Sequence, residues 1–284
     1  MMIGLVTGSG FSEMAALSDQ RQETVDTAYG SVVLTRARWN GGDELVFLPR
    51  HGSDHSIAPH LINYRANIAA LHEVGVRAVL ATAVSGAISA NYSPGQLVLI
   101  SDFLNFTSGR QDTFFDTPGL VRHIEMGTAY DPDLRALVLA SAKSADVELV
   151  DGGVYSTFGG PRFESPAEIR MAEAAGADLV GMTGYPEVVL ARERGLAYAS
   201  IAVVSNMAAG KGSELSMPEI MAIIEAASPR VSAVIGATVG AYAKAAVDPN
   251  YQGARMIVGD SGEQWDVPQP WPLGSDPNIH GGGS

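Results

Sequence analysis

Apolar residues in this chain gather in short runs broken by glycine and hydroxyl residues, and after residue 60 these runs alternate with stretches of helical period. Ile3-Gly4-Leu5-Val6 predicts a buried strand running into Thr7-Gly8-Ser9-Gly10, which is expected to open a helix. Residues 32–39 and 44–48 flank Asn40-Gly41-Gly42-Asp43, a hairpin signal. Over 60–74, Ile62, Ala66, Ala69, Ala70 and Leu71 form one apolar stripe of a helix. Strands are predicted over 78–84, 97–103, 147–155, 178–182 and 198–205, and helices over 131–144, 165–175 and 217–243. Such alternation implies α/β architecture: one domain over 1–247, with a mixed, largely parallel twisted sheet flanked by helices. From 248 to 284 the composition turns to Pro, Gly, Asp and Ser without an amphipathic period, so an irregular extension is expected.

The densest stretch is Val180-Gly181-Met182-Thr183-Gly184-Tyr185-Pro186-Glu187. An apolar run ends there, a hydroxyl-bearing turn follows, Pro186 suits the first helical position, and Glu187 complements a helix N-terminus. A strand's carboxyl end facing a helix amino end is where α/β proteins hold anions.

Composition narrows the anion. The 284 residues carry a net charge of -13, which argues against a nucleic-acid partner. A small anion would instead need a few local donors. With no cysteine there is neither a disulfide framework nor a thiolate nucleophile. No apolar run long enough to span a bilayer is read, and no basic segment precedes an apolar one at the start, so no membrane partner and a cytoplasmic setting are expected.

Few residues offer chemistry. The TGSG turn could cradle an anion through its N–H groups and Ser9, yet it lacks the Lys of a P-loop and the spacing of GxGxxG. Arg50, His51 and His55 share the turn PRHGSDH; glycine and the flanking prolines work against the helix a paired-histidine zinc site needs, so an oxyanion is favoured and no metal is expected. Glu164 sits beside Phe163 in a strand-to-helix break, suited to a flat ring with an N–H donor or simply to a helix start. Asn206 ends an apolar strand, where its amide can hold a heterocycle edge or make a turn. No GxSxG elbow and no glycosidase-type acid pair stand out.

In order, TGSG, PRHGSDH, NYRANIAAL, AVSGAI, TSGRQDTFF, GGPRFES, GMTGYPEVVLARE and SNMAAG resemble the trimeric purine nucleoside phosphorylase and methylthioadenosine phosphorylase family from about Ile3 to Ala243. The resemblance implies that phosphate attacks C1′ of a nucleoside, releasing purine and a pentose 1-phosphate, with phosphate as co-substrate and no cofactor. It implies that Ser9, Arg50, His51, the backbone at Ala83 and Val84, and Thr183 hold phosphate. Phe163 would pack on the base, Glu164 and Asn206 would bind its N1 and N7 edges, with Ala208 beside them, and Met182 would line the sugar. Arg50, Thr183 and Asn206 are the expected catalytic set, and His123 would reach a neighbour's site in a homotrimer. Adenine-specific members carry Asp where this chain has Asn206, and the 5′-hydroxyl-binding His is replaced by Met217 near Ile220. Both departures point to S-methyl-5′-thioinosine, with methylthioadenosine or a general 6-oxopurine nucleoside as alternatives, and a non-catalytic nucleoside binder as the reading from another class.

Overall fold

The computed structural model describes residues 2–11, 14–118, 122–212, 216–245, 257–259 and 264–265. It opens on β1 (Met2–Thr7), buried along its length as the run Ile3-Gly4-Leu5-Val6 requires. Among the described residues past Gly10, Phe11 and residues 14–16 are not helical, so the expected helix does not open there. The chain leads to β2 (Leu17–Thr27), an edge strand paired antiparallel with β3 (Gly30–Trp39). Most of β2 faces water, so it carries little apolar signal, and the ladder to β3 makes it a strand. The predicted hairpin is present: Asn40 and Gly41, at φ of 47° and 74°, turn β3 into β4 (Glu44–Pro49).

Helix α1 (Tyr64–Glu73) starts later than expected, because the Asn63 side chain caps it by accepting from the Ala66 N–H. The next strand, β5 (Val76–Ala87), outruns its predicted end. The single strand expected over 97–103 is two, β6 (Leu97–Leu99) and β7 (Asp102–Phe106), and β8 (Arg122–His123) follows. Helix α2 (Pro132–Ser144) begins where Asp131 accepts from the Leu134 N–H. Gly152 and Gly153, both at positive φ, likewise split the strand expected over 147–155 into β9 (Val150–Asp151) and β10 (Val154–Phe158). Ser165 and Glu168 form a capping box at α3 (Pro166–Ala174). Then come β11 (Leu179–Gly181), α4 (Gly184–Glu193), β12 (Ala197–Met207) and α5 (Met217–Ala245).

These strands form one mixed sheet in the order β2-β3-β4-β1-β5-β11-β10-β7, with β12, β6 and β9 branching from β5. β1 runs parallel to β4 and β5, and β12 runs parallel to β5, so four carboxyl ends converge. β11 is antiparallel to β5, pairing Leu179 with Ala87 and Val180 with Gly86. That register carries the chain after Gly181 back toward Val84 and Ala83. Helices α1 and α4 cover one core, through residues such as Ile68, Leu71, Val188 and Leu190. Helices α2 and α5 cover the other, through Leu134, Val138, Ile224 and Val231.

Two expectations need correction. Helix α5 is long and apolar enough to cross a membrane by length and composition, although Glu219, Glu225 and Arg230 interrupt the apolar run in sequence. Its stripe Ile220, Ile224, Ala227, Val231, Val234 and Ile235 packs in the second core. Within the extension expected to be irregular, β13 (Ile257–Gly259) and β14 (Gln264–Trp265) pair antiparallel, and β13 also pairs with β8.

Gly236 of α5 lies against Trp39, where an added Cβ would come within 2.2 Å of the indole Nε1. Gly236→Ala is expected to destabilise the protein by about 1–3 kcal/mol through overpacking, outweighing about 1 kcal/mol of helix propensity. Urea unfolding measures it; a variant more stable than the parent would show that Trp39 yields freely.

Candidate active site

The carboxyl ends of β1, β4 and β5 are laced together at the TGSG turn. Thr7 pairs with Pro49, the Arg50 N–H donates to the Thr7 carbonyl at 3.0 Å, and the Gly8 N–H donates to Thr82 Oγ1 at 3.3 Å. The missing side chain at Gly8 matters here: a Cβ would stand 2.9 Å from the Arg50 guanidinium. Arg50 therefore lies directly beneath the turn.

Arg50 is already bonded within the protein. It is 2% exposed and donates through Nε and Nη2 to both carboxylate oxygens of Glu187, at 2.9 and 2.7 Å, and through Nη1 to the Thr82 carbonyl at 2.6 Å. Burial works against its charge, but Glu187 outweighs burial and raises its pKa. Three of its five N–H groups are spent, leaving two for a ligand. Glu187 is not a solvent-facing helix-start acid: it is 1% exposed and also accepts from the Tyr198 hydroxyl at 2.7 Å. Sequence reasoning missed this pairing. The available signal was that Pro186 and Val188-Val189-Leu190 leave an intervening acid little chance of facing water.

His51 is buried, and its Nδ1 lies 2.8 Å from the Ile57 carbonyl, so that nitrogen carries the proton. Burial first, and the Arg50 and His55 charges after it, lower its pKa to about 4. At neutral pH His51 offers a lone pair rather than a positive charge. Its ring lies tilted against that of His55, with centroids 4.7 Å apart, and His55 Nε2 is 3.1 Å from Ser9 Oγ. Among the described residues no cluster of metal-ligating side chains occurs.

On the other side of the turn, the β5–β11 register directs Met182 and Thr183 toward Val84 and Ala83. Thr183 is the buried N-cap of α4, and its hydroxyl is not used to cap the helix. Helical backbone begins only after Tyr185, which has extended angles, consistent with Pro186 leading the helix. Gly181 is needed because Tyr155 fills the space of a side chain: a Cβ would sit 1.8 Å from its hydroxyl. Burial pushes the pKa of that phenol up to about 12.

The residues expected to bind the base lie on the next elements. Glu164 is 8% exposed, its Oε1 is buried without a hydrogen-bond partner, and burial raises its pKa. Asn206, paired with Gly86 in the ladder, accepts from Ser205 Oγ at 2.6 Å and donates to the Met207 carbonyl at 2.8 Å. One N–H of its amide and one oxygen lone pair are left over. Ala208 packs in a small core with Ile169 and Ala172 of α3, and Gly210 abuts Pro166, so the loop after Asn206 is docked beside Glu164. In the single chain Phe163 and Met217 are 45% and 55% exposed, and His123, expected to reach a neighbour's site, is exposed in the small sheet with β13. Ile220, by contrast, is buried.

A model of the family described as "Phosphorylase superfamily" matches residues 2–240. The chain belongs to that superfamily. This phosphorylase is 45% identical over 228 residues to a probable 6-oxopurine nucleoside phosphorylase of Moorella thermoacetica, covering 79% of this chain and 87% of that protein. It is 42% identical over 238 residues to a probable S-methyl-5′-thioinosine phosphorylase of Xanthomonas campestris, covering 82% and 95%. Among solved structures, the methylthioadenosine phosphorylase of Schistosoma mansoni in complex with adenine superposes with a TM-score of 0.81 at 28% identity, covering 86% of this chain and 92% of that one.

The ion pair at the centre of the site makes a stability prediction. Glu187→Ala leaves the Arg50 charge buried and is expected to cost about 3–5 kcal/mol. Tyr198→Phe removes one hydrogen bond to a charged group and is expected to cost about 1.5–3 kcal/mol. Denaturant unfolding compares them; a Glu187→Ala loss no larger than that of Tyr198→Phe would mean that the pair is not what holds the junction.

Proposed function

We propose that this phosphorylase cleaves S-methyl-5′-thioinosine, or a close 6-oxopurine relative, by phosphorolysis. The observation that carries the base assignment is Glu164 Oε1, a carboxylate oxygen held out of water with nothing to accept from. A 6-oxopurine presents an N1–H donor to such an acceptor, whereas adenine presents a lone pair at N1. An unsatisfied buried carboxylate gains most from the donor and is penalised by the acceptor. Asn206 is compatible with the same reading, since its spare N–H can donate to N7 or to the O6 of a 6-oxopurine, where adenine offers a 6-amino donor instead.

In this reading a phosphate oxygen attacks C1′ as the C1′–N9 bond breaks, and the bonding pair leaves with the purine. Negative charge spreads over the departing base, where the Asn206 N–H stabilises it at N7. Phosphate is held by the Gly8 and Ser9 turn, the two spare N–H groups of Arg50, and Thr183, with no cofactor required. Because His51 is neutral with a lone pair left on Nε2, it suits the P–OH of monohydrogen phosphate. The apolar Ile220 and Met217 favour a methylthio group at the 5′ position. A homotrimer acting in the cytoplasm completes the reading: Phe163, Met217 and His123 are exposed in a single chain, and a neighbour would cover them.

The test is a panel of inosine, guanosine, adenosine, methylthioadenosine and methylthioinosine, each with and without phosphate, for the parent chain and for Glu164→Gln and Asn206→Asp. Methylthioinosine is expected to lead, and only with phosphate present. Each variant is expected to lose about tenfold or more of its preference for 6-oxopurines over 6-aminopurines. Methylthioadenosine as the best substrate of the parent chain would refute the base assignment.

A further inference from the structure

The segment TSGRQDTFF is matched by the family resemblance, yet nothing in the site just described uses it. Its Arg110 gathers backbone carbonyls from two separate parts of the chain. Nη2 donates to the carbonyls of Met182 at 2.8 Å and Gly159 at 3.1 Å, with that of Phe158 at 3.4 Å, and Nη1 donates to the Tyr185 carbonyl. Phe158 and Gly159 end β10 and begin the loop to Phe163 and Glu164. Met182 and Tyr185 bracket Thr183 at the β11–α4 junction. One planar guanidinium thus joins the base-side loop to the phosphate-side junction.

The group is built in rather than draped over the surface. It lies 5.3 Å from the centre of the Tyr64 ring, and its Nε is buried. The residues after it are tied along α4: Asp112 accepts from the Tyr185 hydroxyl, while Thr113 Oγ1 and the Phe114 N–H donate to Glu193 at 2.8 and 2.6 Å. Among the described residues Arg110 has no carboxylate partner within salt-bridge distance, unlike Arg50, so its charge faces carbonyl dipoles and the Tyr64 ring. Lysine could not reproduce the arrangement, since an ammonium is a point charge without the planar fork.

We propose that Arg110 is a positioning residue for phosphorolysis, holding the segment that orients the base in register with the segment that holds phosphate. The proposal rests on the reaction proposed above. Phosphate must meet C1′ on the side opposite the departing purine, so the two segments must keep a fixed separation while each binds its own ligand. Loosening the staple leaves each binding surface in place and spoils their mutual alignment. Small misalignments of this kind are costly in turnover and cheap in binding.

The experiment measures kcat and the two KM values, for nucleoside and for phosphate, in the intact chain and in Arg110→Lys and Arg110→Ala. Each protein's melting transition is recorded alongside. Arg110→Lys is expected to lose about 10- to 100-fold in kcat. Both KM values are expected to move by less than about threefold. Millimolar guanidinium is expected to restore part of the turnover of Arg110→Ala, and equal urea is expected to restore none. Unchanged kcat in Arg110→Lys, or a loss confined to KM, overturns the proposal. So does activity that tracks the folded fraction in both variants without guanidinium rescue. The phosphorolytic reading fails separately, if the parent chain releases base equally well without phosphate; the split between kcat and KM for that release then still tests Arg110.

Discussion

Arg50 and Glu187 are separated by 137 positions in sequence and meet as a bidentate pair that water scarcely reaches. Neither could be buried alone, because an unpaired charge in this interior would cost several kcal/mol. Their meeting ties the end of β4 to the first turn of α4, and Tyr198 on β12 takes the remaining demand of the carboxylate. With Thr82 of β5 accepting from Arg50 as well, four elements are fixed around one guanidinium. The TGSG turn can then close over it, because Gly8 leaves room. The strand ends, the helix start and the turn that make the anion site are held by this one pair.

A consequence is that the site is less positive than its residue types suggest. Glu187 offsets Arg50, burial keeps His51 neutral, and the chain as a whole carries a net charge of -13. In the proposed reading, anion binding depends on aligned N–H groups, hydroxyls and the unused donors of Arg50 rather than on net charge. Such a site suits a phosphate that must be held and also react, since a nucleophile buried in cationic charge would be less willing to give its electrons to C1′. At the base end the logic reverses. Glu164 is kept out of water with an unsatisfied oxygen, a cost that in the proposed reading a donor on the correct purine removes.

Much of the fold was legible because its signals are local. Asn40-Gly41 marks the hairpin, Asp131 and Ser165 mark helix starts, and the apolar runs mark the central strands. Edge strand β2 was not legible, since its residues face water and only the partner β3 makes it a strand. Gly152-Gly153, which split one predicted strand, could have been read as a break. The strand-end residues gathered at the candidate site could be picked out in the sequence, helped greatly by the order of the motifs. What no local pattern could tell was pairing: that Glu187 belongs to Arg50, or that Arg110 serves carbonyls on two other loops. Those facts exist only once the sheet has brought distant segments together.

The central claim is that phosphate, held at this junction, is the nucleophile. It is tested most directly by running the reaction of the intact chain with [18O]phosphate in ordinary water, and with ordinary phosphate in [18O]water, and weighing the sugar product. The account predicts a pentose 1-phosphate that retains all the label of the phosphate and takes none from water. Label from water at C1 of a free pentose would contradict it.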